Sequence, residues 1–175
     1  MTHSPFWQNL FRPPHKQKQH ICDLWLATPI FTGISHRQCR SLVAEMAVRR
    51  YQIDEAIFEQ GDVGIGTALI IKGSVQICSG NKVLATMEEG DFFGEVALVI
   101  EAPRTATAIA HGDVEIVFFL RPQLESLLSQ APRQGAKIMQ NLARVMANRL
   151  GSTNALLEAM HVDDQTLGGD QHVVN

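Results

Sequence analysis

The sequence predicts an α+β domain, an antiparallel β sandwich or barrel flanked by helices. Between Arg49 and Leu120, short apolar runs alternate with Gly, Asp and Asn, as in regular short strands joined by turns. Before this region, apolar residues recur at helical spacing. After Arg121-Pro122 the helical period returns and persists to about residue 160.

Residues 1–20 read as a flexible tail. They hold the aromatic stretch Phe6–Phe11 and a Pro13-Pro14 pair that breaks any helix begun at Phe6. Arg12, Lys16 and Lys18 make the segment positive, with no acidic residue before Asp23. Trp7 and Phe11 are expected to pack on the domain rather than anchor in a membrane interface.

The spacing predicts helices over 16–27 and 35–48. Ser35 is placed to cap the second, with Gln38 three residues on, and Leu42, Val43 and Met46 form its buried stripe. The expected strands are Ala56–Phe58, Ala68–Ile71, Val75–Cys78, Val83–Met87, Thr105–Ala110 and Glu115–Leu120, with Ser79-Gly80-Asn81 as the tightest hairpin. Pro122 opens a helix over Gln123–Ser129.

A long helix near 134–160 follows. On it Met139, Leu142, Met146, Leu150, Thr153, Leu157 and Met160 recur at spacings of 3, 4, 4, 3, 4 and 3. This quasi-heptad seam is interrupted by the weaker helix formers Gly151–Asn154. The polar, glycine-bearing stretch 161–175 reads as a disordered tail. The domain is therefore expected over 21–160.

Composition narrows the function classes. Apolar residues make up 45% of the 175 and charged residues 19%, a globular balance. A net charge of −3 argues against a general nucleic-acid binder. The densest apolar run, Val114–Leu120, is strand-length and contains Glu115, so no membrane span is expected. The first residues lack the basic and long apolar regions of a signal peptide. Cys22, Cys39 and Cys78 are odd in number and have no CxxC spacing, which predicts reduced thiols in a cytoplasmic protein.

Most of the chemistry lies in residues 90–110. A Gly94-Glu95 pair opens one apolar turn, and Pro103-Arg104-Thr105-Ala106-Thr107 opens a β-like run. An anion fits the backbone N–H groups of such a turn, and Arg104 can return to clamp it with a planar, permanently charged fork. Glu95, acceptor-only when ionised, suits a ligand's hydroxyls rather than its phosphate. Phosphate beside a sugar hydroxyl is a nucleotide.

These residues carry a family resemblance. Phe93-Gly94-Glu95-Val96-Ala97-Leu98 followed by Pro103-Arg104-Thr105-Ala106-Thr107 resembles the phosphate-binding cassette of the cyclic nucleotide-binding domain family, which includes catabolite activators and kinase regulatory subunits. Ile57–Asp62 and Ile70–Val75 resemble its early strands; Ala68 departs from it, standing where the family often has an aromatic.

The resemblance implies a jelly-roll-like antiparallel β-roll of about eight strands, with N-terminal helices and a long C-terminal helix. It also implies roles for site residues. Glu95 would take the ribose 2′-hydroxyl, with Gly94, Val96 and Ala97 around it. Arg104 and Thr105 would hold the cyclic phosphate of cyclic AMP or cyclic GMP, and a hydroxyl at Thr105 is associated with admitting guanine.

Other readings are weaker. Gly61, Gly64 and Gly66 fit neither a dinucleotide fingerprint nor a Walker loop, and read as turn glycines. No histidine occurs between His36 and His111, so the β region lacks the clustered histidine ligands of a metal-dependent β-roll enzyme. Ser35 lacks the closing glycine of a nucleophile elbow, and three scattered cysteines cannot hold an iron–sulfur cluster. Neither catalytic nor metal residues are expected, and no cofactor. Only 15 residues follow Met160, too few for the DNA-binding domain that family transcription factors carry there.

The expectation is thus a stand-alone cytoplasmic cyclic nucleotide receptor, not an enzyme, acting through a protein partner and not on DNA. The helix seam would pair it as a homodimer, or else fold back and be buried on the chain's own β-roll. The alternative is a β-roll docking or dimerisation module that binds no cyclic nucleotide, or binds a different effector.

Overall fold

The computed structural model describes residues 10–11 and 15–167, with side chains over 16–155 and at Glu158. Helices α1 (His15–Ala27) and α2 (His36–Ala44) flank a 3-10 turn at Pro29–Phe31. Eight strands then run from Val48 to Leu120, after the two-residue β1 (Leu10–Phe11): β2 (Val48–Tyr51), β3 (Ala56–Phe58), β4 (Gly66–Lys72), β5 (Val75–Ser79), β6 (Lys82–Met87), β7 (Phe92–Phe93), β8 (Thr107–Ala110) and β9 (Val114–Leu120). A four-residue helix α3 (Val96–Val99) separates β7 from β8, and α4 (Arg121–Gln130) and α5 (Pro132–Leu167) follow β9.

The strands form two antiparallel sheets, ordered β1-β2-β9-β4-β7 and β3-β8-β5-β6. The expected α+β class and antiparallel roll are both present. β4 and β9 lie at the centre and read as continuous apolar runs because both of their faces are buried. Leu69, Ile71, Val117 and Phe119 meet the helices. Ala68, Ile70, Ile116 and Phe118 meet the second sheet. Ala68 is paired with Phe118 on one side and Phe93 on the other, so its small side chain sits between two aromatic neighbours.

Helices close the outer core. Trp25 stacks on Phe31 at 4.9 Å between ring centroids, and Phe31 meets Phe119 edge-on at 5.9 Å. Ile138, Leu142 and Val145 of α5 are buried in the same cluster, with Met139 and Met146 packed against it. The buried Asn141 donates to the carbonyls of Ile30 and Thr32 at 3.0 and 2.8 Å. The first half of the apolar seam is therefore consumed by the chain's own core, whereas Leu150 is 63% exposed.

Local signals decide several boundaries. Ser35 and Gln38 form the expected capping box, with the Ser35 N–H donating to Gln38 Oε1 at 2.8 Å. The hairpin closes at Ser79 and Lys82 around Gly80-Asn81. α2 stops at Ala44 rather than 48, because Val48 enters β2 opposite Val117.

The terminal limits also differ from expectation. Leu10 and Phe11, inside the stretch expected to be tail, pair with Arg49 and Val48, and α1 starts at His15, one residue before the expected 16. α5 extends to Leu167, past the expected end at 160. The expected packing of Trp7 and Phe11, and the end of the C-terminal tail beyond 167, lie outside the described residues and side chains.

Candidate functional site

The cassette is built where β7 leaves the sheet. Phe92 and Phe93 pair with Leu69 and Ala68, after which the chain turns sharply at Gly94, whose φ is +74°. That left-handed conformation costs an L side chain strain, and a Cβ there would also collide with the Arg104 guanidinium. Glu95 follows, and α3 begins with the Ala97 and Leu98 N–H groups donating to the carbonyls of Gly94 and Glu95 at 3.2 and 3.0 Å. The Ala97 N–H is thus engaged within the turn. Ala97 is buried, and Val96 is partly exposed.

Arg104 arrives from the far end of the motif. Its backbone is held at Asp62, whose carbonyl accepts from the Arg104 N–H at 2.8 Å. Its side chain is half-buried and uses the fork on backbone. Nη1 donates to the Gly94 carbonyl at 3.0 Å, and Nη2 donates to the Gly66 carbonyl at 2.9 Å. The Phe58 ring lies 4.1 Å beneath the guanidinium carbon, a cation–π contact. Burial lowers the Arg104 pKa from its ordinary value, and the carboxylates of Asp62 and Glu95 oppose that shift. Arg104 is therefore drawn to the residue immediately before Glu95, as the motif spacing predicts.

Glu95 is 5% exposed, and its carboxylate is not left alone in the interior. Arg149 of α5 places Nη1 2.7 Å from Glu95 Oε2. It also donates through Nη2 to the Phe92 carbonyl at 3.2 Å and lies 5.0 Å from the centre of the Phe92 ring. Thr105 is exposed at the start of the run into β8. Thr107 is turned to scaffold duty and accepts from the Gln60 N–H at 3.0 Å.

The glycines upstream serve close approach. Of the three glycines read as turn residues, Gly61 sits in the turn with φ +95°, Gly64 lies in the loop and Gly66 opens β4, the last two without a left-handed φ. A Cβ on Gly64 would sit 2.6 Å from the Ala97 Cβ, and one on Gly66 would meet the backbone of Phe119 and Leu120. Only glycine lets this loop lie against the cassette and against β9 at once.

Of the residues assigned to the site from sequence, Gly94, Glu95, Val96 and Ala97 are contiguous, Arg104 is brought to the Gly94 carbonyl, and Thr105 is exposed beside Arg104 in the chain. Sequence reasoning missed Arg149, Phe58 and Arg121. A lone arginine late in a helix carries no local signal, and only the docked register of α5 brings Arg149 to Glu95. Among the described residues no group of three or more His, Cys, Asp or Glu is placed to hold a metal ion. None of the described helices is long and apolar enough to cross a membrane. A surface groove of about 850 Å³ lies elsewhere, between Arg50, Lys72, Asp113 and Glu115, and shares no residue with the cassette.

Known proteins carry the same unit. The cyclic nucleotide-binding domain family matches residues 48–131. A cGMP-dependent protein kinase of Plasmodium berghei is 37% identical over 81 residues, which cover 46% of this chain and 10% of the kinase. The cyclic AMP receptor protein of Thermus thermophilus is 27% identical over 142 residues, 78% of this chain and 64% of the receptor. The chain thus spans less than two thirds of the length of either relative. A solved cyclic nucleotide-binding domain from Methylobacillus flagellatus superposes with a TM-score of 0.74 at 20% identity, covering 91% of this chain and 97% of that one, a likeness of fold. The strands of the roll from β2 to β9 and the cassette between them lie within the family match, and residues 48–131 belong to the cyclic nucleotide-binding domain family.

Proposed function

We propose that the cassette binds a 3′,5′-cyclic mononucleotide, cyclic AMP or cyclic GMP, and that the protein is a cytoplasmic receptor acting through a protein partner. The observation that carries this reading is the juxtaposition of Arg104 with the Gly94-Glu95 turn, where Arg104 Nη1 bonds the carbonyl next to a buried carboxylate. In this reading the cyclic phosphate draws at least one arm of Arg104 from a neutral carbonyl to a charged oxygen, an exchange favoured because charge-assisted bonds are stronger. Glu95 accepts from the ribose 2′-hydroxyl, since an ionised carboxylate has lone pairs beyond those Arg149 engages. Gly94, Val96 and Ala97 wall the sugar-phosphate, and Thr105 stands at the phosphate end.

Arg149 supplies the output. It sits on the helix and shares the carboxylate the ribose would use, so ligand entry changes what holds α5. A ligand that favours one arrangement of α5 biases two states by its differential affinity. The exposed Leu150, one residue on, supports a homodimer formed through the distal half of α5. Similarity to both a cGMP-dependent kinase and a cyclic AMP receptor leaves the base open. Titration with cyclic AMP and cyclic GMP after removal of any co-purified nucleotide tests the binding. Mass spectrometry of what co-purifies identifies the base.

A further inference from the structure

Arg121 is the first residue of α4, where β9 ends and Pro122 commits the chain to a new direction. Its side chain is 19% exposed and turns back toward the cassette. Nε donates to the Ala97 carbonyl at 3.0 Å, and Nη2 donates to the Gly64 carbonyl at 2.7 Å. Its own N–H donates to the Ile65 carbonyl at 2.9 Å. Nη1 reaches Glu101 Oε2 at 3.3 Å, but that carboxylate is largely exposed, so this pair adds little.

The carbonyls that Arg121 takes have few alternatives. α3 is a single turn, and the Ile100 N–H closes it by donating to the Val96 carbonyl. Carbonyls at the end of a helix need partners from outside it, and Arg121 provides one. The Gly64–Gly66 loop is gripped by two arginines. Arg121 holds the Gly64 carbonyl, and Arg104 holds the Gly66 carbonyl. Gly64 lies against Ala97 and close to the Arg104 guanidinium carbon, so any drift of this loop moves both walls of the cassette.

We infer that Arg121 is a positioning residue for nucleotide binding: its fork ties α3 and the glycine loop to the start of α4, so that the cassette keeps its shape when Arg104 lets go of Gly66. This rests on the proposed cyclic nucleotide reading. Two bonds set at different angles by one planar group explain why this position needs arginine; an ammonium carries the charge but cannot match both carbonyls along fixed directions.

The test compares the whole protein with Arg121→Lys, Arg121→Gln and Glu101→Gln. In the free protein, amide hydrogen exchange over residues 64–65 and 96–102 should rise about tenfold in Arg121→Lys and Arg121→Gln, with β4 and β9 unchanged. Affinity for cyclic AMP or cyclic GMP should fall roughly tenfold in both, the size expected for a lost hydrogen bond. Glu101→Gln should stay within about twofold of the wild type, as expected for a surface pair. In Arg104→Ala, adding Arg121→Lys should cost less than it does alone, because both act on one loop. A wild type that binds either nucleotide with Arg121→Lys binding equally well overturns the inference alone. Loss of binding with wild-type exchange over 96–102 also overturns it. A wild type that binds neither nucleotide overturns the underlying reading and the inference with it. Arg121→Gln, whose amide can still serve one carbonyl, covers the case in which Arg121→Lys does not fold.

Discussion

Arg149 and Glu95 form an ion pair of 2.7 Å that links the long helix to the cassette turn. The carboxylate is buried and the guanidinium is 46% exposed, so the pair joins an interior acceptor to a side chain that water can reach. The helix is thereby fastened at the group to which the ligand's sugar is assigned.

Arg149→Ala should leave Glu95 buried without that partner. The exposed side of the pair is screened, so the expected loss of stability is about 1 kcal/mol, at the low end for an orphaned buried group. Urea unfolding measures it, and hydrogen exchange over 146–155 should rise in the free protein. Unchanged exchange there would show that α5 is held by Asn141 and its apolar face alone.

Gly94→Ala should damage the site twice. The left-handed backbone costs an L residue roughly 1–2 kcal/mol, and the added methyl displaces the Arg104 guanidinium from the Gly94 carbonyl. Gly80→Ala is the control: it is also left-handed, at φ +55°, but a Cβ there meets nothing within 4 Å. Both variants should unfold at lower urea, and only Gly94→Ala should lose nucleotide. Equal binding by the two would separate Arg104 geometry from binding.

Sedimentation tests assembly. If the distal half of α5 pairs two chains, the wild type sediments as a dimer and Leu150→Asp as a monomer. A wild-type monomer removes the dimer from the account without touching the cassette, since Met139, Leu142 and Met146 are already spent on the chain's own core.

Thiol chemistry should be quiet in the folded protein. Burial pushes the Cys39 thiol well up from its ordinary value, and the neighbouring Cys22 adds to the shift. A raised thiol stays protonated at neutral pH and is a poor nucleophile. An aromatic disulfide reagent should therefore label Cys39 only as the protein unfolds, and the fully buried Cys22 likewise because the reagent cannot reach it. Stoichiometric labelling of either within seconds at pH 7.5 would contradict their placement at the α1–α2 contact.

Much of this was legible in the sequence where the determinants are contiguous. The run from Phe93 to Thr107 carries its turn, carboxylate and arginine within one stretch, and Ser35 with Gln38 announces a helix start. β2 was hidden because Val48-Arg49-Arg50-Tyr51 breaks the alternation of a half-buried strand: Arg49 is itself buried, with its guanidinium 4.8 Å from the Tyr51 ring centre. β7 is too short to show a period. The seam on α5 shows in its spacing, but which partner each part of it meets does not: its first half faces the domain and Leu150 faces solvent. Arg149 and Arg121 could not be read at all, because their partners are set by helix docking and not by spacing.

Arg104 is where binding and fold have to be separated. It satisfies two carbonyls and stacks on Phe58, so Arg104→Ala should cost roughly 1–3 kcal/mol of stability as well as the ligand. The most direct measurement is calorimetric titration of nucleotide-free wild type and Arg104→Ala with cyclic AMP and cyclic GMP, at a temperature where both are folded by circular dichroism. Saturable heat for at least one nucleotide with the wild type, weakened about tenfold to a hundredfold in Arg104→Ala, is the expected result for a lost charged hydrogen bond. No heat with either nucleotide, or equal affinity in the two proteins, would contradict the assignment of the cassette as the binding site.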